Sequence, residues 1–435
     1  MKNKWSSYTA RIVVNSHIYL YNTYTDQLIE TSSEIDSLIT QYKEDVDKLN
    51  EIHPELHDAL MNGGFIVEMS RTEWKEIVAN WDLEDKSLRK FTMTINPTLN
   101  CNMRCWYCYE KHDKTAYMSN ETILSVNNLI HTKVTDNELR ALNINFFGGE
   151  PLLHYEKCVH PILEFAYEEC ILNKKQLFVS FTTNAYLLSE RIIEDLKKYA
   201  KWGHIKLQIT LDGNEKTHDS IRSLSGKYPT YRTILKNIIK CAENDFKVLV
   251  RFNYTNDNIL SYYDVIEDFQ DIKSKWRDNI TFSLHKVWQE RESSDLQQNV
   301  EEVVNAFKQA ELHVESLEPL RGGRCYGDRQ NFIVINYNGD LYKCTAREFI
   351  PKLREGFLKK NGELVWNDIY KKRMLLKNCP SVCHDCVLFP LCHAGCTQNK
   401  IEFSGNLDEC LRHYSETQKK RLLESKIQYQ LKFNL

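Results

Sequence analysis

Three cysteines, Cys101, Cys105 and Cys108, stand at C-x3-C-x2-C spacing in one short stretch of the chain. A [4Fe–4S] cluster normally takes one cysteine thiolate for each iron. Three thiolates therefore hold three irons and leave the fourth open to a small molecule, and an open coordination position is typical of a reactive metal centre. The spacing predicts a catalytic [4Fe–4S] cluster on these three residues.

The same spacing would also fit a helix with cysteines at i, i+4 and i+7, forming a buried apolar stripe. The preceding residues argue against that helix. Phe91–Ile95 has the pattern of an apolar strand, and Asn96-Pro97-Thr98 follows it before the cysteines. A proline disfavours helical geometry at the residue before it, so a helix is not expected to run through this point. We therefore expect the cysteines in a loop that follows a strand.

The other cysteines are unevenly distributed along the chain, which has 14 in all. Cys158, Cys170 and Cys241 are isolated, and we expect them to be small buried hydrophobes. In a cytoplasmic chain, so many cysteines indicate metal or redox chemistry rather than disulfides. The C-terminal part holds Cys325, Cys344, Cys379, Cys383, Cys386, Cys392, Cys396 and Cys410.

The composition describes an ordinary globular protein of 435 residues, with 27% charged and 42% hydrophobic residues, long enough for two or three domains. A net charge of −3 gives no general attraction to nucleic acid or to an anionic membrane. No apolar stretch approaches membrane-spanning length, and the first residues lead into no signal-type apolar segment. These features predict a cytoplasmic protein with neither membrane nor nucleic acid as a partner.

A parallel sheet is expected to position the cysteine loop. From Phe91 onward strand-like and helix-like segments alternate, the pattern of repeated β-α units. Six such units suit an α/β fold with an open, partial (βα)6 barrel, in which chemistry gathers at the C-terminal ends of the strands. The predicted strands are Phe91–Ile95, Leu142–Phe147, Leu177–Thr183, Ile205–Leu211, Val248–Tyr254 and Ile280–Leu284, separated by helices such as Thr122–Lys133, Ser189–Tyr199 and Tyr231–Asn244.

Small and polar residues follow the second and third of these strands. Gly148 and Gly149 allow the backbone to approach a ligand closely, and Glu150 offers a carboxylate to an ammonium group. Thr183 and Asn184 carry side chains that can hydrogen-bond ribose hydroxyls. These residues are expected at the same edge of the sheet as the cysteine loop.

Charged residues follow the fourth strand, where Asp212-Gly213 is succeeded by His218, Asp219 and Arg222. Two simpler interpretations stay open at this point. Asp212-Gly213 could be only a turn, and Arg222 could form a surface ion pair of little energy. Arg251 lies inside an apolar strand.

The N-terminal stretch predicts a small winged-helix-like module. Residues from about 8 to 30 alternate as strands, with turn chemistry between them. One helix is expected from Ser33 and a second after Pro54, ending at Gly63-Gly64 before a wing-like strand at Phe65–Val67. A linker or linking helix is expected over 82–86, and the polar tail from Glu416 is expected to be helical.

The cysteine spacing, with Tyr107 before the last cysteine, resembles that of the radical S-adenosylmethionine (SAM) enzymes. Gly148-Gly149-Glu150 at the end of the second strand makes the resemblance close. It implies that the glycines and Glu150 hold the amino group of the SAM methionine, and that Arg251 is a candidate partner for its carboxylate. Tyr107, Thr183, Asn184, Asp212 and Arg222 are then implied as further cofactor-binding residues.

The C-terminal cysteines resemble those of the SPASM domain of radical SAM enzymes, which binds two auxiliary [4Fe–4S] clusters. A hairpin over Phe332–Tyr342 with an Asn-Gly turn separates the first two of these cysteines. A zinc ribbon is the alternative, because paired C-x2-C units bind zinc readily. The resemblance implies one cluster on Cys383, Cys386, Cys392 and Cys410, and another on Cys325, Cys344 and Cys396.

The second auxiliary cluster lacks a fourth ligand in this assignment. Cys379 could complete it by folding back, or the iron could stay open for a substrate thiolate, which we favour. Formylglycine-forming maturases of the same family carry a further cysteine near the first and an Asp directly after the second hairpin cysteine. This chain has Thr345 at the latter position, which counts against that activity.

The resemblance covers nearly the whole chain and implies a radical SAM/SPASM peptide maturase, an oxidoreductase that acts on a ribosomally synthesised precursor peptide. The 5′-deoxyadenosyl radical would abstract hydrogen from the peptide, and a thioether or carbon–carbon crosslink would form. A sulfatase-type maturase and a non-catalytic iron–sulfur peptide-binding partner are the alternatives.

The implied domains are a leader-peptide recognition module over 1–80, a radical SAM core over 90–310 and an auxiliary-cluster domain over 311–435. The leader would add a strand to an edge of the N-terminal sheet. The implied cofactors are three [4Fe–4S] clusters and SAM, and an electron donor such as flavodoxin or ferredoxin is the second expected partner.

Overall fold

The computed structural model describes residues 2–291, 293, 295–315, 320, 324–378, 381–402 and 409–433. The chain divides into two compact units. The first comprises Met1–Lys86, Leu317–Gln330 and Ile369–Leu435, and the second comprises Ser87–Ser316 and Asn331–Asp368.

The first unit begins with a three-stranded antiparallel sheet, in the order β2-β3-β4, and a separate pair, β1 with β5. The turn Asn15-Ser16 between β2 and β3 has positive φ at both residues, 49° and 67°, as a two-residue hairpin turn of type I′ requires. The elements are β1 (Asn3–Trp5), β2 (Thr9–Val14), β3 (His17–Asn22), β4 (Gln27–Thr31), α1 (Ser33–Gln41), α2 (Val46–Ile52), α3 (Pro54–Asn62), β5 (Ile66–Glu68) and α4 (Glu73–Asp85).

The second unit is built on parallel strands in sequential order, each hydrogen-bonded to the next. Helices separate the strands, which is the β-α alternation expected of a parallel sheet. The strands are β6 (Lys90–Ile95), β7 (Ala141–Phe146), β8 (Gln176–Thr183), β9 (Gly203–Leu211), β10 (Lys247–Tyr254), β11 (Ile280–Lys286) and β12 (His313–Val314). The helices are α5 (Asn120–Val134), α6 (His160–Leu172), α7 (Glu190–Ala200), α8 (Glu215–Arg222), α9 (Tyr231–Glu243), α10 (Tyr262–Gln270), α11 (Ser274–Arg277) and α12 (Leu296–Gln309).

The two faces of this parallel sheet differ in chemistry. Alternate residues such as Met93, Ile144 and Val250 are fully buried and share one apolar cluster with the helices. The residues between them are polar on most strands, for example Asn145 and Arg251. The helices therefore cover one face, and the other, called here the inner face, remains polar and only partly buried.

Four further strands extend the sheet beyond β6. β13 (Phe332–Ile335) pairs in parallel with β6, and β14 (Asp340–Tyr342), β15 (Gly356–Leu358) and β16 (Leu364–Trp366) follow as an antiparallel meander. The sheet has 11 strands among the described residues. The hairpin predicted over 332–342 is confirmed, and it joins the sheet of the second unit although it was assigned to the C-terminal domain.

The C-terminal part of the first unit is helical. Its helices are α13 (Asp368–Leu376), which begins at the unit boundary, α14 (Phe389–Cys392), α15 (Thr397–Glu402) and α16 (Glu416–Phe433). Leu423 and Ile427 of α16 pack with Ile12 and Val14 of β2 in one apolar cluster. The N-terminal and C-terminal segments therefore share a core within this unit, and the functions assigned to the ranges 1–80, 90–310 and 311–435 stay predictions.

Most elements predicted from the sequence lie within two residues of their observed bounds, and the cysteine stretch 101–108 is a loop, so the helical alternative is wrong. The N-terminal prediction was incomplete because it contained neither β1 nor α2, a short helix capped by Asp45. The stretch 82–86 is the end of α4, and the predicted tail helix is α16. No helix among the described residues is long and apolar enough to cross a membrane.

Candidate active site

The cysteine loop follows β6 at the C-terminal edge of the parallel sheet. Met103, only 1% exposed, anchors the loop and forms an isolated bridge with Leu224. Cys101 and Cys105 are half-buried, whereas Cys108 is exposed. The loop therefore has a buried anchor, and Cys105 acts electrostatically on both Cys101 and Cys108, so the three thiols lie near one another.

Tyr107 ties this loop to the ends of two neighbouring strands. Its hydroxyl donates to Asp212 Oδ2 at 2.5 Å and accepts from Arg222 Nη1 at 2.8 Å and from Asn253 Nδ2 at 3.1 Å. Asp212 is fully buried and Arg222 is 8% exposed, with 3.5 Å between their charged groups. A simple turn at 212 and a surface ion pair at Arg222 are therefore both excluded.

His218 supports this network from behind. The amide of Asp212 donates to His218 Nδ1 at 3.2 Å, so the ring proton sits on Nε2, which lies 3.2 Å from Thr230 Oγ1. Thr230 in turn donates to the carbonyl oxygen of Arg222 at 3.0 Å. Burial, and then the positive charge of Arg222, hold the pKa of His218 well below its ordinary value. A neutral imidazole thus fixes the backbone of both Asp212 and Arg222.

Charge interactions inside the network are strong. Burial raises the pKa of Asp212, and Arg222 partly offsets that rise. Burial alone would lower the pKa of Arg222, but Cys105, Tyr107 and Asp212 together raise it well above the ordinary value. Arg222 is therefore permanently charged beside the loop, where it favours thiolates and other anions.

The three thiols are protonated while they are free. Burial, and then the charge of Glu150, raise the pKa of Cys101 to about 12, and burial also raises the pKa values of Cys105 and Cys108. Iron is bound by the thiolate rather than by the thiol, so metal binding must displace these protons.

The glycine pair is packed against the chain itself. Gly148 has φ of +95°, and a Cβ atom there would lie 2.5 Å from the carbonyl oxygen of Thr98. A Cβ atom on Gly149 would lie 2.2 Å from the carbonyl oxygen of Asn100. The glycines therefore permit the end of β7 to approach the backbone that leads into the cysteine loop.

Glu150 joins the ends of β7 and β8. Its side chain is fully buried, and it accepts hydrogen bonds from Thr183 Oγ1 at 2.6 Å, from the Leu152 amide at 3.0 Å and from the Asn184 amide at 2.7 Å. Asn184 also donates to Asn102 Oδ1 at 2.8 Å. Glu150, Thr183 and Asn184 thus hold one another and the loop, and their contact with a cofactor stays a prediction.

Several buried polar atoms around the loop have no hydrogen-bond partner among the described residues. Such atoms are costly to leave unpaired and commonly mark the place of a missing ligand or water. Three of them are acceptors and two are donors, so a polar group that carries both donors and acceptors fits beside the three thiols. The atoms are Asn100 Oδ1, Asn102 Nδ2, Glu110 Oε2, Asp212 Oδ1 and Arg222 Nε.

Arg251 lies on the inner face, where its Nε donates to Asn253 Oδ1 at 2.9 Å, and Tyr107 and Asp212 of the network also act on its charge. Burial lowers the pKa of Arg251. Asn253 was missed by the sequence reasoning. Its position two residues after Arg251 on the same face of β10 could have revealed it, since residues i and i+2 of a strand share a face.

The C-terminal cysteines divide between the two units. Cys325, Cys383, Cys386, Cys392, Cys396 and Cys410 belong to the first unit and Cys344 to the second. Burial, followed by the thiolates of Cys386, Cys392 and Cys410, raises the pKa of Cys383 to about 12. These four cysteines are the ligand set implied for one auxiliary cluster. Cys379 lies outside the described residues.

No three His, Cys, Asp or Glu side chains converge on the position of a single metal ion within the described ranges. In a [4Fe–4S] cluster each cysteine binds a different iron, so its ligands are not expected to converge in that way.

Comparison with protein families identifies the central segment. Residues 95–274 match the radical SAM superfamily, and they contain the cysteine loop, the glycine pair and the Asp212–Arg222 network. The second unit therefore contains a radical SAM domain, and its large parallel sheet is the radical SAM α/β fold.

Three related sequences match part or most of this chain. An uncharacterized protein of Methanocaldococcus jannaschii is 25% identical over 59% of this chain and 85% of its own length. The radical SAM cyclopropyl synthase TigE of Paramaledivibacter caminithermalis is 25% identical over 37% of this chain and 36% of its own length. The sporulation killing factor maturation protein SkfB of Bacillus subtilis is 25% identical over 40% of this chain and 38% of its own length. The chain thus spans little more than a third of the latter two.

Two solved structures share the fold over most of the chain. Native anSMEcpe with bound AdoMet has a TM-score of 0.54 at 15% identity and covers 79% of this chain and 97% of its own. SuiB of Streptococcus suis has a TM-score of 0.52 at 16% identity, and the match covers 92% of this chain and 97% of the SuiB chain. These similarities establish the fold.

Proposed function

We propose that this protein is a radical SAM peptide maturase that modifies a ribosomally synthesised precursor peptide. The observation that carries the proposal is the cysteine loop, which is fixed to the strand ends through Tyr107 and sits beside Gly148-Gly149-Glu150. When bound, the cluster and SAM supply one-electron chemistry that produces a radical able to abstract hydrogen.

The residues of the chain have separate tasks in this proposal. Cys101, Cys105 and Cys108 hold the cluster and leave one iron free. Arg222 and Asn253 hold Tyr107 at the loop, and Glu150 joins the strand ends on which the amino acid part of SAM would rest. Glu150, Asp212 and Arg222 are buried, and their burial would limit the access of water to reactive species.

A peptide as the substrate is supported by the relatives. SkfB is a maturation protein, TigE is a cyclopropyl synthase, and a second cysteine group resembling a SPASM domain follows the core of this chain. We propose that Cys383, Cys386, Cys392 and Cys410 hold one auxiliary cluster, and that Cys325, Cys344 and Cys396 hold part of another.

The N-terminal sheet supports leader recognition. β4 pairs only with β3 among the described strands, so its outer edge could accept a further strand. We propose that the leader binds there. Removing the leader from the precursor should therefore weaken the binding of the precursor to this protein.

We also propose that a flavodoxin or ferredoxin supplies electrons and that the reaction takes place in the cytoplasm.

The test is anaerobic reconstitution followed by measurement of 5′-deoxyadenosine release from SAM under reducing conditions. The precursor should be a short open reading frame beside the gene, co-expressed and analysed by mass spectrometry. A loss of two hydrogens for each modification indicates a crosslink. Absence of deoxyadenosine release from a protein with its full iron content would contradict the proposal and favour a non-catalytic peptide-binding partner.

A sulfatase-type maturase is the second candidate, because a cysteine-type anaerobic sulfatase-maturating enzyme of Clostridium novyi is 29% identical over 35% of this chain and 40% of its own length. The same mass measurement separates the two, since conversion of cysteine to formylglycine removes sulfur and a crosslink does not. Thr345 stands where that class places an Asp, so we expect the crosslink.

A further inference from the structure

The inner face of the parallel sheet has an unusual distribution of charge. β6 to β11 contain no Asp or Glu. Their inner-face positions nevertheless carry several basic or imidazole side chains. These are Lys90, His204, Lys206, Lys247, Arg251 and His285.

The strand registers show that these side chains share one face. Lys206 is paired with Ser180 of β8, which in turn is paired with Asn145 of β7. Arg251 is paired with Thr210 of β9 and with Ser283 of β11. Paired residues in a parallel sheet point to the same side, so the basic groups line one surface.

Hydrogen bonds between neighbouring strands also identify this surface. Asn145 Nδ2 donates to Thr94 Oγ1 at 3.3 Å, and Ser180 Oγ donates to Asn145 Oδ1 at 2.5 Å. One row further along, Asn143 Nδ2 donates to Thr92 Oγ1 at 3.3 Å, and the buried Asn143 Oδ1 has no partner among the described residues. A row of amides and hydroxyls of this kind can hydrogen-bond an extended peptide backbone.

Arg251 and Lys206 are the two least compensated charges of this surface. Neither has a carboxylate within ion-pair distance among the residues that the structure describes. Asp212 also acts on the charge of Arg251, but it is paired with Arg222, and Glu315 acts on His285. Arg251 is half-buried, and its one hydrogen bond among the described residues is the bond to Asn253, so an anion would relieve its loss of hydration.

We propose that the inner face binds an acidic segment of the peptide substrate, with Arg251 and Lys206 as the counter-charges. This inference rests on the proposed function and narrows its substrate class. Arg251 adjoins the Tyr107 network through Asn253, so the carboxylate that it binds lies near the cysteine loop. Thr210, which faces Arg251, is four residues after Lys206, a separation of about 13 Å at 3.3 Å per residue. An extended peptide with acidic residues at i and i+4 matches that span.

The test is binding of a fluorescent nonapeptide of Gly and Ser with Glu at its third and seventh positions, compared with the same peptide carrying Gln. The full reconstituted protein is titrated anaerobically and fluorescence anisotropy is recorded. We expect the Glu peptide to bind about tenfold more tightly, since a partly desolvated ion pair discriminates strongly.

Three variants with the same change in charge locate the site. Arg251→Gln should weaken binding of the Glu peptide about tenfold, and Lys206→Gln, at an exposed position, about two- to fivefold. Lys236→Gln on the exposed surface of α9 is the matched control and should change nothing. Equal affinity for both peptides, an equal loss in the control, or equal competition by a single-stranded oligonucleotide would overturn the inference.

Two further measurements separate this inference from its premise. SAM binding is measured by calorimetry with Arg251→Gln; loss of SAM binding with unchanged peptide binding would assign Arg251 to the cofactor and overturn the inference. Release of 5′-deoxyadenosine is measured in parallel. Normal release without a preference for Glu contradicts only the acidic-segment inference, whereas a preference for Glu without release contradicts only the proposed function.

Discussion

The two cysteine-rich regions of this protein are held in different ways. The loop 101–108 is fixed by side chains from several strands, with Tyr107 bonded to Asp212, Arg222 and Asn253. In the second region Cys392 ends the short helix α14 and Cys396 immediately precedes α15, whereas Cys383 and Cys386 precede α14 and Cys410 follows α15. The first region is held by a buried network of polar and charged side chains. The described part of the second region is held mainly by hydrogen bonds to its backbone carbonyls, from Tyr8 to His384 and from Thr23 to Val387, and by the packing of Phe389. Where a metal organises its own site, the free energy of metal binding also stabilises the folded site. We therefore expect the folding of the second region to depend more on its metal than the folding of the first.

The largest effect that tests this contrast is loss of the loop cysteines. Replacing Cys101, Cys105 and Cys108 together by Ala should abolish SAM cleavage and remove about a third of about twelve irons expected from three four-iron clusters. Iron analysis and deoxyadenosine release provide the measurement. Since the loop is held by Tyr107, the variant should keep the far-UV circular dichroism of the parent. Replacing the isolated, buried Cys241 by Ala serves as the control and should spare the iron content.

Iron removal should separate the two regions directly. After chelation, amide hydrogen exchange should accelerate in residues 381–402, because ligation is expected to organise this part, and should change little in β6 and β9. Mass spectrometry of peptic fragments measures both regions in one experiment. Equal acceleration in the two regions, or protection of 381–402 in the iron-free protein, would break the comparison.

Tyr107→Phe tests whether side chains shape the loop. The change removes three hydrogen bonds and leaves Asp212 and Arg222 less satisfied in a buried place, so we expect a loss of about 1–3 kcal/mol in the free energy of unfolding. Tyr109→Phe is the matched control, because its hydroxyl donates to the Thr345 carbonyl at 2.6 Å outside that network. Denaturant unfolding of both variants gives the difference, and a smaller loss for Tyr107→Phe would contradict the assignment.

The smallest expected effect concerns pH. The pKa of His218 is lowered in the folded state by burial and by Arg222, so the unfolded chain binds the additional proton first. The stability that this histidine contributes is present above its unfolded pKa of about 6.5 and is lost as the pH falls below that value. His218→Gln keeps one acceptor and one donor and should reduce the loss of stability between pH 7.5 and 5.5. His204→Gln at an exposed position is the control, and an equal change in both variants would remove His218 from this role.

Glu150 shows where sequence reasoning reached its limit. Glu150 was expected to face an amine, but its oxygens accept hydrogen bonds from Thr183, Leu152 and Asn184. The sequence could predict that Glu150 is a site residue and that it follows β7, because the ends of strands have local sequence signals. Its partners lie across strands, and one-dimensional patterns do not contain the register that brings them together.

The sequence alone determined the strands and helices of the core, the loop character of residues 101–108 and the grouping of the cysteines. Each depends on neighbours within a few positions, through alternation, proline punctuation and spacing. Only the tertiary structure decided which side chains hold the loop, since Tyr107 meets Asp212 across 105 positions and Asn253 across 146. It also decided that the N-terminal and C-terminal segments share a core and that β13 extends the parallel sheet beside β6. The physical reason is that local preferences fix backbone conformation, whereas long-range contacts depend on how all the elements pack at once.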